Sequence, residues 1–193
     1  MHSWSWKGYE GSPAEVVIYA DASYVKLYLN DEFIAQADIV EHKAVIQTVY
    51  KPGTLSVVAF DENDDQIGKD ELVSCDDTYD LKIDVSKETL QANGQDLSYL
   101  DISLYDQNGI IRSCEDADIS IEIEGPCTLE GFGSADPFNT QPYTSNVHKT
   151  YYGRVQAIIR STYEEGKIKI TARDDSHALE KSVIIRSYRD LLK

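Results

Sequence analysis

Residues 117–124 read ADISIEIE, so that Ile119, Ile121 and Ile123 recur at every second position with polar or acidic residues between them. Successive side chains of a pleated strand point to opposite faces, and this spacing gathers three isoleucines on one face of a half-buried strand. A helix of 3.6 residues per turn would scatter them. Residues 24–30, YVKLYLN, repeat the pattern, with Val25, Leu27 and Leu29 opposed to Tyr24, Lys26 and Tyr28, and Ile168 and Ile170 show it again. Along the rest of the chain the alternation predicts strands over 15–20, 24–30, 32–38, 43–50, 54–61 and 66–74. It resumes over 79–86, 97–105, 117–124, 128–131, 153–162, 166–173 and 178–187.

Turn chemistry stands between these runs. Asn30-Asp31 is a tight hairpin signal, and Pro52-Gly53 fits a type II turn with glycine at the position that needs a positive φ. Asp106-Gln107-Asn108-Gly109 and Glu164-Glu165-Gly166 mark two further hairpins. Only residues 188–193 suit a helical turn. Short strands at this spacing with almost no helix predict an all-β protein of two tandem immunoglobulin-like antiparallel β-sandwiches. The stretch Ser74-Cys75-Asp76-Asp77-Thr78 interrupts the alternation and is expected to be the linker, giving domains over 1–76 and 77–193.

Composition narrows the partners. Thirty-four acidic against 18 basic residues leave a net charge of −16, the opposite of the basic footprint that nucleic acid and anionic membranes require. No apolar run approaches the roughly 18 residues that a membrane span needs, so no membrane insertion is expected. The opening residues, MHSWSWK, have neither the basic nor the apolar region of a signal peptide. If the parent is exported, its leader is expected upstream of these residues, and Met1 then reads as an engineered start. The three cysteines, Cys75, Cys114 and Cys127, cannot all pair within the chain and form no C-x-x-C. They read as free thiols, Cys127 as a core residue.

The residues from 125 to 160 carry a family resemblance. A Gly-Pro turn leads into Gly131-Phe132-Gly133-Ser134-Ala135-Asp136-Pro137, a long polar loop follows, and a strand reopens at Tyr152-Gly153-Arg154. This resembles the last β-sandwich of glycoside hydrolase family 2, the β-galactosidase-like group, with its G-x-G-(x)-x-D-P loop and later aromatic-x-G-[KR] strand start. Ala92-Asn93-Gly94-Gln95-Asp96-Leu97 and Asp106–Gly109 match further motifs of that sandwich. The first half resembles the preceding sandwich, through Trp4-Ser5-Trp6, the strand ending at Tyr19, Val25–Asn30, and Tyr50-Lys51-Pro52-Gly53-Thr54-Leu55. Two departures are visible. Asp31 stands where the family has a hairpin glycine, and Ala20-Asp21-Ala22 replaces its Thr-Asn pair.

The resemblance implies a parent that cleaves β-glycosidic bonds with two glutamates on a barrel outside these residues, about 5 Å apart in the retaining geometry. It implies that this chain is a non-catalytic C-terminal accessory fragment, with the barrel and N-terminal domains of the parent as partners. Its sandwiches would brace the barrel and shape the substrate entrance or a homo-oligomer contact. It further implies a secreted or periplasmic bacterial parent, this fragment itself carrying no signal. Two other classes fit the same residues: an ancillary carbohydrate-binding module, and a bacterial immunoglobulin-like adhesion or spacer module, in which D-x-x-G hairpins also occur.

Glu122 and Glu124 fall on the polar face of their strand, and the four histidines have no nucleophile at a recognisable local spacing. Gly131-x-Gly133 reaches no third glycine and opens no helix, so no dinucleotide is expected. An EF-hand loop starting at Asp61 would need Gly at 66 and Glu at 72, where the chain has Gln66 and Leu72. The acidic run there reads as a hairpin tip, and neither metal nor cofactor is expected. Trp4 and Trp6, the only two tryptophans, share one face of an extended segment. They are the candidate contact with carbohydrate, whose C–H faces stack on aromatic rings, or with the barrel. Placed at a junction, their rings should lie uncovered here, with the sandwich core made elsewhere by Val, Ile and Leu. Gly131, Gly133, Asp136 and Pro137 are expected to form a structured loop in which the glycines permit unusual backbone conformations.

Overall fold

Strands form where apolar residues alternate, and fifteen of them account for the regular structure of residues 2–189, the part of the chain described by the computed structural model. The chain divides into two compact units, Met1–Cys75 and Asp76–Lys193.

The first unit contains β1 (Pro13–Tyr19), β2 (Tyr24–Leu29), β3 (Glu32–Asp38), β4 (Lys43–Val49), β5 (Thr54–Phe60) and β6 (Gln66–Val73). They make a four-stranded sheet in the order β3-β2-β5-β6 and a two-stranded sheet β1-β4. Val25, Leu27 and Leu29 point inward as the alternation requires, and they share one core with Ile18, Ala44, Ile46 and Leu55. Asn30 and Asp31 both take positive φ, 53° and 65°, the type I′ pair whose twist suits a two-residue hairpin. The aspartate at the family's glycine position thus still adopts the left-handed conformation. Gly53, at φ 133°, has a separate reason to be glycine: a Cβ there would lie 1.8 Å from the Asn30 side-chain oxygen. That oxygen accepts the Thr54 amide at 2.8 Å and the Asn30 amide group donates to the Pro52 carbonyl at 3.1 Å, so one side chain ties two turns together.

The second unit contains β7 (Asp80–Val85), β8 (Thr89–Gln91), β9 (Leu97–Tyr105), β10 (Asp118–Glu124), β11 (Cys127–Gly133), β12 (Val147–Lys149), β13 (Arg154–Ser161), β14 (Gly166–Asp174) and β15 (Leu179–Tyr188). The sheets are β11-β13-β9-β7 and β12-β10-β14-β15-β8. All pairs are antiparallel except β15 with β8, a parallel edge that the expectation of purely antiparallel sheets did not include. Leu100, Ile102, Leu104, Ile119, Ile159, Ile168 and Ile170 are fully buried between the sheets, each such side chain stabilising by about 1.5–3 kcal/mol relative to exposure. Cys127 packs against this core, and burial pushes its thiol up to about 11. The two three-residue strands, β8 and β12, are not among those that the alternation predicts. The expected helical turn over 188–193 begins on Tyr188, which is strand, and residues 190–193 lie outside the described residues.

Asp76, placed by the sequence at the end of the first domain, is bound into the second unit. Its amide donates to the Asp106 carboxylate at 2.9 Å and its own carboxylate accepts from Gln107 and Asn108. Its carbonyl, with that of Thr78, accepts from the buried Arg112, whose guanidinium also pairs with Glu115 and lies 3.8 Å over the Tyr79 ring. We therefore propose that residues 1–75 and 76–193 each fold alone. Expressed separately, each should give a dispersed amide spectrum and a cooperative melt, whereas an unfolded first piece would show that the two share one folding unit.

Candidate functional site

The outer face of the sheet β11-β13-β9-β7 follows from its inner face. Val155, Ala157 and Ile159 are buried, so β13 turns Arg154, Gln156 and Ile158 outward, while β9 turns Asp101 and Tyr105 the same way, with Ser103 between them buried beneath its neighbours. Strand register aligns them in rows. Gly133, Gln156, Asp101 and Asp84 stand side by side, and Arg154, Ser103 and Lys82 form the next row. Gln156 Nε2 donates to Asp101 Oδ1 at 2.7 Å, and Lys82 pairs with Asp84 at 2.9 Å. These rows floor a groove of about 820 Å³ that is walled by Tyr105, Tyr143, Tyr151 and Tyr152. That size lies within the roughly 300–1,000 Å³ of small-molecule sites.

The expected glycine loop is part of this groove, and its first half is strand rather than loop. Gly131 and Gly133 end β11, with a bulge between Leu129 and Gly131, and neither is among the residues with positive φ. Their lack of side chains therefore has another cause. A Cβ on Gly133 would lie 2.3 Å from Tyr143 Cδ1, so the glycine lets that ring lie down on the strand. A Cβ on Gly131 would meet nothing within 4 Å. Neither backbone conformation nor packing demands glycine at 131; its absence of a side chain keeps the groove floor open. Beyond β11 the chain does form a loop, where Asp136 Oδ1 accepts the Phe138 amide at 2.9 Å and Pro137 occupies the turn between them. The loop returns along the strand, Phe132 N donating to the Tyr143 carbonyl at 2.7 Å. Under Tyr143 lies the buried His148, its ring parallel to the phenol at 6.0 Å.

The opposite wall is strained. Tyr152 and Gly153 form a two-residue hairpin turn between Tyr151 and Arg154, with φ of 52° and 71°. Asn or Gly normally takes the first of these positions, and a bulky aromatic there is an outlier costing about 1 kcal/mol or more. The Tyr151 and Tyr152 rings are 4.3 Å apart. The hydrogen bond with Tyr152, together with desolvation and the nearby Asp136 and Asp116, raises the Tyr151 phenol above its ordinary value, so it remains a neutral hydroxyl.

The tryptophans belong to the first unit, and the expected uncovered surface at Trp4 is not found. Trp4 is 5% exposed and belongs to the first unit's own core, edge-on to Tyr50 at 5.1 Å with its indole N–H on the Lys51 carbonyl at 3.0 Å. A ring so enclosed offers no face to a sugar. Trp6 packs half-buried against the same core, its indole N–H on the Ser3 carbonyl.

Other polar groups are held in structural roles. Glu122 pairs with Arg173 at 2.7 Å and Glu124 with Lys169 at 3.4 Å on the outer strand face. Asp61 Oδ1 accepts the Asp65 and Asn63 amides, which lowers its pKa and closes the acidic hairpin tip. Asp174, Ser176 and His177 meet in one turn without making a triad. Both Asp174 Oδ2, at 2.7 Å, and Ser176 Oγ, at 3.0 Å, address the same nitrogen, His177 Nδ1, leaving no serine at the base's far side. Burial raises the Asp174 carboxyl, but the bonds from Ser176 and His177 outweigh it and hold the group below its ordinary value. Among the described residues no cluster of three or more His, Cys, Asp or Glu is placed to hold a metal, and no helix is long and apolar enough to cross a membrane.

Comparison with known proteins adds the family context. The model of glycoside hydrolase family 2 C-terminal domain 5 matches residues 81–182, and that of a domain of unknown function, DUF4982, matches residues 11–68. The chain is 23% identical over 177 residues to beta-galactosidase BoGH2A of Bacteroides ovatus, covering 90% of this chain and 20% of that one. A glycosyl hydrolase family 2 member from Bacteroides cellulosilyticus superimposes with a TM-score of 0.91 at 27% identity, over 98% of this chain and 24% of that one. A beta-glycosidase from Bacteroides vulgatus, at 22% identity and a TM-score of 0.82, shares the fold over 96% of this chain and 24% of its own. The chain thus spans a fifth to a quarter of the length of these relatives.

Two stability measurements check the placement of these rings. Trp4→Ala should destabilise the first unit by about 3–5 kcal/mol, the usual cost of removing a buried aromatic, and Trp6→Ala by less. Equal, small effects on the melt would return Trp4 to the surface. Tyr152→Asn should raise the melting temperature of the second unit, by relief of about 1 kcal/mol of backbone strain. A lowered melting temperature would show that the tyrosine is held there by packing.

Proposed function

The chain belongs to glycoside hydrolase family 2, and from that premise we propose that it serves as an accessory part of a β-galactosidase-like glycosidase, bracing the parent's catalytic barrel and shaping substrate access or oligomer contacts. The observation that carries this is the length relation: a family 2 structure is matched over 98% of this chain but only 24% of its own. The relative's remaining length is room for the barrel that the family's chemistry needs. On this reading the parent retains anomeric configuration, using two barrel glutamates as acid/base and nucleophile, about 5 Å apart. The carboxylates that the sequence offers as a local pair, Glu122 and Glu124, are engaged with Arg173 and Lys169 on a solvated face. The ancillary carbohydrate-binding reading gains support from the tyrosine-walled groove of the second unit rather than from the tryptophans.

The test is turnover. The purified 193-residue chain, incubated with aryl β-galactoside, β-glucuronide and β-mannoside, should release no phenol above the buffer rate. Hydrolysis that co-purifies with the chain through successive columns would overturn the accessory role.

A further inference from the structure

The groove on β11-β13-β9-β7 has a division of labour that no packing requirement explains. Its walls are aromatic rings, of which Tyr143 is 56% exposed and Tyr152 40% exposed. Its floor is hydrogen-bonding groups from two neighbouring strands, and beside them Gly131 leaves open space that a side chain would fill. The Tyr152 ring is held at the rim by a backbone conformation unfavourable to tyrosine. Such strain persists where the surrounding structure imposes it, and it gathers at sites of ligand contact.

We propose that this groove binds an uncharged oligosaccharide, with Tyr143 and Tyr152 stacking on the apolar faces of its pyranose rings and Gln156, Asp101 and Arg154 meeting its hydroxyls. Aromatic walls with a few convergent polar groups suit a ligand that is apolar on its faces and polar at its edges. Gln156 donates one N–H to Asp101 and so presents its carbonyl oxygen in a fixed orientation, while Asp101 is an acceptor for hydroxyl donors. Tyr151 stays a neutral phenol that can both donate and accept. Asp84 is paired with Lys82, and Asp101 shares the floor with Arg154, so the groove's own charges balance and offer an anionic sugar no net attraction on a chain of net charge −16. The carboxylates also disfavour an apolar protein surface, against which they would be desolvated. The proposal stands apart from the accessory role, since turnover would overturn that role and leave this one untouched.

Isothermal titration of the whole chain with β-1,4-linked galactotetraose, cellotetraose and xylotetraose tests it, with trigalacturonate as the acidic comparison. At least one uncharged tetrasaccharide should bind, and more tightly than trigalacturonate. Gly131→Leu fills the floor, and Tyr143→Ala removes a wall; each should weaken binding at least about tenfold. Tyr152→Asn should weaken binding while raising the melting temperature, a combination that loss of structure cannot produce. Absence of binding by all three sugars overturns the proposal, as does binding unchanged in the three variants or tighter binding of trigalacturonate. A dimer that Gly131→Leu dissociates in sedimentation would assign the face to a second copy of the chain, and would overturn it equally.

Discussion

The register of β13 between β9 and β11 is the constraint on which the second unit rests. Its inward residues, Val155, Ala157 and Ile159, are buried against the opposite sheet. Because side chains alternate, the same pairing sends Arg154, Gln156 and Ile158 outward and sets them beside Ser103, Asp101 and Tyr99. A slip of one residue would exchange the two sets, placing a guanidinium in the core and an isoleucine in solvent. The register that makes the core therefore also makes the polar floor. The bulge after Leu129 completes the arrangement, bringing Gly131 opposite Ile158 and Gly133 opposite Gln156.

The walls depend on a second set of constraints. Tyr143 comes from the loop between β11 and β12, and it can lie across the strand because Gly133 offers no Cβ. Its backbone is fixed by the Phe132 amide, and its ring rests over buried His148. On the other side the Tyr152–Gly153 turn leaves no room for a side chain at Gly153, where a Cβ would lie 2.7 Å from the Arg112 carbonyl. Arg112 itself anchors Asp76 and Thr78 at the start of the unit. Core, turn and groove wall are thus linked through a few backbone contacts, and the strained tyrosine is carried by the rest.

Much of the fold was legible because alternation is a local signal. Val25, Leu27 and Leu29 in β2, and Ile119 and Ile121 in β10, face inward as their spacing predicts. The short strands β8 and β12 were not legible, since three residues are too few to alternate and their pairing partners lie far along the chain. Trp4 was misplaced for a related reason: it precedes the first strand, in a segment with no period, so only the tertiary contact with Tyr50 reveals its burial. The groove escaped the sequence because its residues come from four strands, a loop and a turn that lie far apart along the chain. Two signals pointed toward it. Gly131 and Gly133 are two apart and so share a strand face, and Tyr152 precedes Gly153 where a tight hairpin calls for Asn or Gly. The family resemblance identified the segments without their purpose, since motif order reports descent and a groove depends on register.

The most direct measurement of where this chain meets a sugar is a set of intermolecular nuclear Overhauser effects, recorded between the ring protons of a bound uncharged tetrasaccharide and the aromatic protons of the chain. Contacts to Tyr143 and Tyr152 are expected, and none to Trp4 or Trp6. Contacts to the tryptophans instead, with Tyr143 and Tyr152 silent, would contradict it.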